Sequence, residues 1–112
     1  MKPSNLYKGS LTTIILKLLN ENDKMYGYEI TQKVKQITKN ELQLTEGALY
    51  PALHKLEAQG LLGVEVVKIG NRVRKYYRLT EVGTKVTVEK LAELESYIRN
   101  MRALVNSKFR DE

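Results

Sequence analysis

Apolar residues recur at intervals of three and four along the first third of the chain, the spacing of an amphipathic helix. Ser10, a residue type that caps helix N-termini, precedes the first stripe. The second stripe has polar residues on its opposite side. The pattern therefore predicts two helices separated by a polar turn. The first stripe consists of Leu11, Ile14, Ile15, Leu18 and Leu19, and the second of Ile30, Val34 and Ile37.

A third helix is predicted from Thr45 to Gln59. Thr45 is a favourable N-cap, and Glu46 adds a negative charge near the positive end of the helix. Gly60 is expected to end the helix. Just before Thr45, the alternation of residues 41–45 predicts a small strand. The expected buried stripe of this helix is Leu49, Leu53 and Leu56.

Pro51 lies inside this third helix, although a proline in a helix interior costs about 3 kcal/mol. Gly47, four residues earlier, has no side chain at the place where the proline ring crowds the preceding turn. We expect Pro51 to bend or tighten the start of the helix and to help direct the side chain of Tyr50.

Residues 61–80 predict two strands rich in valine and tyrosine, joined at Gly70 and Asn71 by a tight hairpin turn. Thr80 then caps a last helix that begins near Glu81. This order predicts a mainly α fold with a small β-hairpin wing, a winged helix-turn-helix over residues 1–80. A long C-terminal helix for dimerisation occupies residues 81–112. A three-helix bundle with an edge hairpin is the alternative.

The last helix carries apolar residues spaced by three and four, as in a coiled-coil seam. The preceding domain is too small to cover a helix about 40 Å long, so a second copy of the chain is the expected partner. A helix lying on a membrane is the alternative, and the acidic residues mixed among its bases disfavour it. The seam consists of Leu91, Leu94, Ile98, Met101 and Val105, widened by Tyr97, Leu104 and Phe109.

The amino-acid composition indicates the kind of partner and the class of protein. The 112 residues include 19 basic and 13 acidic side chains, a net charge of +6, which favours nucleic acid first and an anionic membrane second. There is no cysteine, one histidine, no glycine-rich phosphate loop and no metal-ligand spacing, so we expect neither an enzyme nor a cofactor. The N-terminus lacks the apolar run of a signal peptide and no apolar run could span a bilayer, which favours a cytoplasmic protein.

Five of the basic residues fall within the hairpin segment 68–78, which contains no acid. Like charges on neighbouring strands repel, so phosphate groups would supply the missing attraction. A solvated basic edge that resists aggregation is the alternative. The five residues are Lys68, Arg72, Arg74, Lys75 and Arg78.

The outward face of the third helix combines small residues, which permit close approach, with side chains that hydrogen-bond to phosphates or base edges. For Tyr50 the alternative is a half-buried ring that covers the helix end, and for His54 a surface residue without a special role. This face presents Gly47, Tyr50, Pro51, His54, Lys55 and Ala58.

Four segments together resemble the PadR family of transcriptional regulators in order and spacing: "GSLTTIILKLL", "MYGYEI", "EGALYPALHKLEAQGLL" and "RKYYRLTEVG". The resemblance covers residues 7–83 and implies a winged-helix DNA-binding domain with a C-terminal dimerisation helix. Because one helix follows "LTEVG", the chain is similar to the short-tailed branch of the family.

The resemblance also implies residue roles. The helix from Thr45 to Gln59 becomes the recognition helix, with Tyr50 in the "LYP" motif, and Tyr26 and Gly27 open the supporting helix near the DNA backbone. Small aromatic or lipophilic effectors of such proteins bind near the dimer interface, for which Tyr97 and Phe109 are the candidates here in the absence of tryptophan. The expected DNA contacts are Tyr26, Gly27, Thr45, Glu46, Gly47, Tyr50, Pro51, His54, Lys55, Arg72, Arg74 and Lys75.

These observations predict a homodimeric repressor that binds an inverted-repeat operator in double-stranded DNA and is released by a small-molecule effector. The alternative is a winged-helix module that binds an acidic protein partner without reading DNA sequence.

Overall fold

The computed structural model describes residues 5–108, which form five helices and three strands. In chain order these are α1 (Asn5–Lys8), α2 (Leu11–Glu21), β1 (Met25–Tyr26), α3 (Gly27–Ile37), α4 (Glu46–Ala58), β2 (Leu62–Ile69), β3 (Arg72–Leu79) and α5 (Glu81–Asn106). The winged helix-turn-helix predicted from the sequence is confirmed: α3 and α4 form its helical pair, and the β2–β3 hairpin is its wing.

Helix α2 starts directly after Ser10, as predicted, but without a side-chain cap. Ser10 makes no side-chain hydrogen bond to the helix, and its backbone is helical (φ −105°, ψ −1°) rather than extended. The reason is α1, which runs directly into this turn; the Ser10 amide donates to the carbonyl of Tyr7 at 3.0 Å. Ser10 is therefore the N-cap residue of α2 by position, with its carbonyl accepting from the amide of Ile14 at 2.9 Å, but its side chain does not cap the helix.

The start and the end of α4 are determined locally, as predicted. Thr45 is extended, and its Oγ1 accepts a hydrogen bond from the amide of Ala48 at 3.2 Å. At the other end, Gly60 has a φ of +78°, a conformation that glycine adopts without strain.

The helix is α-helical at every residue from Glu46 to Ala58, including Pro51. The tightening of the helix start that we expected from Pro51 is therefore wrong, whereas the bend and the effect on the direction of Tyr50 stay predictions. Proline has no N–H, so it leaves the carbonyl of Gly47 without the usual donor. Both residues are exposed, and solvent can satisfy that carbonyl without a change of backbone.

The segment before α4 is not a strand. Leu42 and Leu44 are buried in the core, which explains the alternation in the sequence, but residues 41–45 have no strand partner within the described part of the chain. The short strand is instead β1, in which Met25 pairs with Tyr77 and Tyr26 with Tyr76. Alternating burial without a neighbouring strand produces an extended loop, so this prediction is wrong.

The sheet is antiparallel, with the order β1–β3–β2. The wing strands pair from Leu62 with Leu79 to Ile69 with Arg72, and Gly70 supplies the positive φ of +60° in the turn. The hairpin predicted at Gly70 and Asn71 is confirmed.

One apolar core lies between α2, α3, α4 and the sheet. The third-helix stripe is fully buried, as expected, whereas Ile37 at the end of α3 is 61% exposed. Helix α5 packs against α2 near its start, where Gly83 and Thr87 are buried, and then extends beyond the core. The described part of the chain is consequently elongated, at 69 × 31 × 20 Å. The buried third-helix residues are Leu49, Leu53 and Leu56.

Candidate nucleic-acid interface

The outward face of α4 is available to a partner. Pro51, His54 and Lys55 are exposed, and so are Glu46 and Gly47 in the first turn. These residues lie opposite the buried leucine stripe because the helix repeats every 3.6 residues. A face with small residues at its N-terminal end and polar side chains along it suits insertion into the major groove of DNA. Thr45 is also exposed, but its hydroxyl already serves as the N-cap.

Tyr50 differs from its neighbours because it is half-buried. Its ring lies against Gly27, the first residue of α3: a Cβ built on Gly27 would be 2.8 Å from the ring carbon Cζ of Tyr50. The ring centroid of His54 lies 6.4 Å from that of Tyr50. The alternative interpretation of Tyr50, a half-buried ring that covers a helix end, therefore describes its packing, and the end that it covers is that of α3.

The basic residues of the wing lie on both faces of the hairpin. Side chains alternate along a strand, so Arg72, Arg74 and Arg78 share one face of β3, and Lys75 lies on the other with the buried Tyr77. Lys68, on β2, is paired with Val73 and shares the face of Lys75. All of these side chains are exposed except that of Arg74, which is half-buried.

The guanidinium of Arg74 has partners within the protein. Its central carbon lies 3.9 Å from the centroid of the Tyr26 ring, and its Nη1 donates a hydrogen bond to Oη of Tyr76 at 3.4 Å. The hydrogen bond to Tyr76 raises the pKa of Arg74, and the nearby Tyr26 adds to this effect. Arg74 therefore remains cationic at every physiological pH.

Lys24 continues this set of contacts. Its Nζ lies 5.0 Å from the ring centroid of Tyr76 and forms an ion pair with Oε2 of Glu65 at 3.2 Å. The rings of Tyr26 and Tyr76 meet edge to face, 5.5 Å apart. Lys24, Glu65 and Tyr76 were not predicted as site residues from the sequence, because their proximity depends on the pairing of β1 with β3, which no local pattern predicted.

A cleft of about 420 Å³ lies between the start of α3, Tyr50 and the edge of β3. It exists because β1 pairs only with Tyr76 and Tyr77, so the outer part of β3 has no strand on that side within the described residues. Aromatic rings, glycine backbone and three cations border it together. The lining residues are Tyr26, Gly27, Tyr28 and Tyr50 with Ile69, Arg72, Val73, Arg74 and Lys75.

The side chains of the predicted seam of α5 are partly buried where the helix leaves the domain and exposed further along it. Leu91 and Leu94 are half-buried, Ile98 is 46% exposed, and Met101 and Val105 are exposed. Tyr97 is exposed and borders a second cleft of about 320 Å³ with Leu94 and the start of α2. Phe109, the other residue expected to bind an effector, lies outside the described residues.

Residues 5–108 contain no group of three histidine, cysteine, aspartate or glutamate side chains placed to hold a metal ion. Of the helices in the same range, none is both long and apolar enough to cross a bilayer.

A helical pair, a basic hairpin wing and a two-residue strand that joins them define this chain as a winged helix-turn-helix protein. Residues 15–89 match the model of the transcriptional regulator PadR-like family. The chain belongs to this family of transcriptional regulators and is not an enzyme.

Individual relatives agree with this assignment. The chain is 32% identical to the transcriptional regulator Rv3488 of Mycobacterium tuberculosis, over 71% of this chain and 72% of the relative. Its fold is similar to that of a transcriptional regulator from Clostridium thermocellum, with a TM-score of 0.84 and 32% identity over 92% of this chain and all of the other. A PadR family transcriptional regulator from Eggerthella lenta is similar with a TM-score of 0.78 and 30% identity, over 92% and 88% of the two chains.

Proposed function

We propose that this chain represses transcription as a homodimer that binds an inverted-repeat operator, with one α4 helix in the major groove of each half-site. One observation carries the proposal: helix α4 and the basic edge of the wing border the same cleft, through Tyr50 on one side and Arg72 and Lys75 on the other. Two-fold symmetry then predicts half-site centres about 10 base pairs apart, or a multiple of this spacing.

The charges of the wing support contact with phosphates. Arg72 and Lys75 are exposed, and none of the protein's salt bridges between described residues involves either of them. Each phosphate that such a side chain neutralises releases counterions, so the logarithm of affinity falls with the logarithm of salt concentration by about 0.9 per contact.

The DNA-binding experiment uses duplex DNA selected from a random library with the unsubstituted protein, and a scrambled duplex as control. Fluorescence anisotropy at several salt concentrations should give tighter binding to the selected duplex. Lys75→Gln should weaken binding to both duplexes and reduce the salt slope by about one. Equal affinity for the two duplexes at physiological salt would favour the alternative, an adaptor for an acidic protein partner.

The proposed dimer rests on the apolar side chains of α5 that the domain does not cover. Val105 is 80% exposed and Leu104 is 63% exposed. A continuous apolar stripe of this kind is typical of a helix that packs on a partner helix. A second copy is the occupant that we propose, because two-fold symmetric dimers are the commonest oligomers.

Ile98→Lys combined with Val105→Lys should give monomers in sedimentation, because both changes put charge into the seam. Both side chains are exposed, so the domain should keep its helical circular dichroism. Lys108→Ala is the matched control and should remain dimeric. A monomeric unsubstituted protein at micromolar concentration would contradict the proposal.

The proposed effector site is the cleft beside Tyr97. The cleft has room for a small aromatic molecule. The ring of Tyr97 and the side chain of Leu94 supply apolar surface next to the polar Lys90 and Glu93. A panel of planar aromatic compounds, titrated into the protein–DNA complex, should include one that lowers affinity, and Tyr97→Ala should remove that response. A response that survives Tyr97→Ala would place the effector elsewhere.

A further inference from the structure

The outer half of the wing has little contact with the core. Tyr77 is fully buried, but the side chains nearer the tip are not: Val66 is 61% exposed and Val73 is 67% exposed. The short strand β1 covers β3 only at Tyr76 and Tyr77. Core packing therefore fixes the base of the wing, and some other contact has to fix the direction of its tip relative to α4.

The contacts that reach the outer half lie on the face of the sheet away from Tyr77. Arg74 is two residues nearer the tip than the covered part of β3, and its guanidinium carbon lies over the ring of Tyr26, 3.9 Å from the centroid. On the same face, Tyr76 accepts a hydrogen bond from Arg74 and meets Tyr26 edge to face. Lys24 joins Tyr76 to Glu65 on β2, so both strands of the wing are included.

Tyr26 is itself held firmly. It is the N-cap residue of α3, with an extended backbone, and its amide donates to Oε1 of Glu29 in the first turn at 3.0 Å. The ring of Tyr26 is thus fixed relative to the helical pair, whereas Arg74 belongs to the wing. Their contact joins the two parts beyond the stretch of β3 that pairs with β1.

We propose that Tyr26 and Arg74 form a joint that sets the direction of the wing relative to α4, and that both are positioning residues for DNA binding. The expected effect on DNA affinity rests on the proposed function, whereas the joint between Tyr26 and Arg74 does not. Arg74 differs in this from Arg72 and Lys75: its guanidinium is directed at the protein, and its planar shape suits stacking in a way that a lysine ammonium does not.

The joint can be tested without DNA. The chain has no cysteine, so Asn71→Cys in the wing turn and Ala58→Cys at the end of α4 provide two unique sites for spin labels. Both positions are exposed, and Asn71 needs no positive φ because Gly70 supplies it. Labelled chains are diluted with unlabelled chains, so that pulsed dipolar spectroscopy reports the distance within one chain.

Tyr26→Leu should broaden the distance distribution or move its maximum, because the stacking surface is lost. Tyr26→Phe keeps the ring and is the matched control, expected to give the distribution of the unsubstituted protein. Arg74→Lys keeps the charge but removes the planar group, and it should resemble Tyr26→Leu. Unchanged distributions in both Tyr26→Leu and Arg74→Lys would overturn the proposal.

The DNA measurement then separates positioning from direct contact. Tyr26→Leu and Arg74→Lys leave the net charge unchanged, and they should lower affinity by about three- to tenfold, the range of an ordinary cation–π contact, with the salt slope retained. If Arg74 instead neutralises a phosphate, Arg74→Lys keeps full affinity, and that result overturns the positioning role. A failure of the unsubstituted protein to bind DNA would reject the proposed function, while the spin-label distances would still decide whether the joint exists.

Discussion

The ring of Tyr50 occupies the space into which a side chain on Gly27 would project, so the starts of α3 and α4 meet at a glycine and a tyrosine. Tyr50 is half-buried as a result, and its ring is held at the border between the recognition face and the cleft beside the wing. The contact explains why the first residue of α3 has no side chain, although glycine is a poor helix former.

This contact predicts that Gly27 and Tyr50 are energetically coupled. Gly27→Ala alone should lower the free energy of unfolding by about 1–3 kcal/mol, the usual cost of overpacking. In a Tyr50→Ala background the space is free, and the same change should raise stability by about 0.5–1 kcal/mol, the gain of alanine over glycine in a helix. Urea unfolding of the four proteins measures the coupling, and equal effects of Gly27→Ala in the two backgrounds would contradict the contact.

Gly47 offers a case in which stability and binding should change in opposite directions. A Cβ at this position meets only Oγ1 of Thr45, at an ordinary 3.9 Å. Gly47→Ala should therefore stabilise the fold by about 0.5–1 kcal/mol. If α4 enters the major groove at this end, the added methyl group should also weaken binding to the selected duplex. Thermal unfolding and fluorescence anisotropy on the same protein test both effects. An unaltered DNA affinity would show that Gly47 is not part of the DNA-contacting surface.

Gly83 is predicted to be the glycine whose replacement costs most. It lies in the first turn of α5, where its amide donates to Oγ1 of Thr80 and a Cβ would collide with the carbonyl of Leu61. That carbonyl also accepts from the amide of Thr80, so it cannot move freely. Gly83→Ala should destabilise the protein by about 1–3 kcal/mol or more. Gly9→Ala, which meets no atom within 4 Å, is the control and should be nearly neutral in the same denaturation experiment.

The burial of Tyr77 predicts that the stability of the fold decreases at alkaline pH. Its hydroxyl is buried without a hydrogen-bond partner within the described residues, and burial raises its pKa, with smaller contributions from Glu57 and Tyr50. The folded state keeps the neutral phenol, whereas an unfolded tyrosine ionises above pH about 10. Stability from this residue is therefore fully present below pH 10 and is lost as the pH rises further.

Tyr77→Phe removes both the unpartnered hydroxyl and the ionisation. At pH 7 the variant should be more stable by about 1 kcal/mol, because an unsatisfied buried group costs that much or more. Its advantage should widen above pH 10, since only the parent loses stability through this group. Denaturant midpoints at neutral and alkaline pH measure the difference, and an advantage that narrows with rising pH would be inconsistent with a raised pKa.

Much of this fold is determined by short stretches of sequence. Thr45 and Thr80 cap helices through their own side chains, Gly60 ends one, and Gly70 closes the hairpin, each within a few residues. Such signals are readable because the interaction partners are neighbours in the chain. The buried leucines of α4 are equally readable, since helical periodicity alone places them on one face.

Other features were decided only by tertiary structure. The turn after α1 leaves Ser10 at the N-cap position without a side-chain hydrogen bond. Among the described residues no strand lies beside residues 41–45, which therefore form a loop. The joint of Tyr26 with Arg74 and the ion pair of Lys24 with Glu65, 41 residues apart, require β1 to find β3. The sequence by itself therefore determined the helices, the wing and the basic character of the surface. Which cations are free to meet a partner was decided by the packing of segments that are distant in the chain, because stacking and ion pairing depend on proximity in space and not on neighbouring residue types.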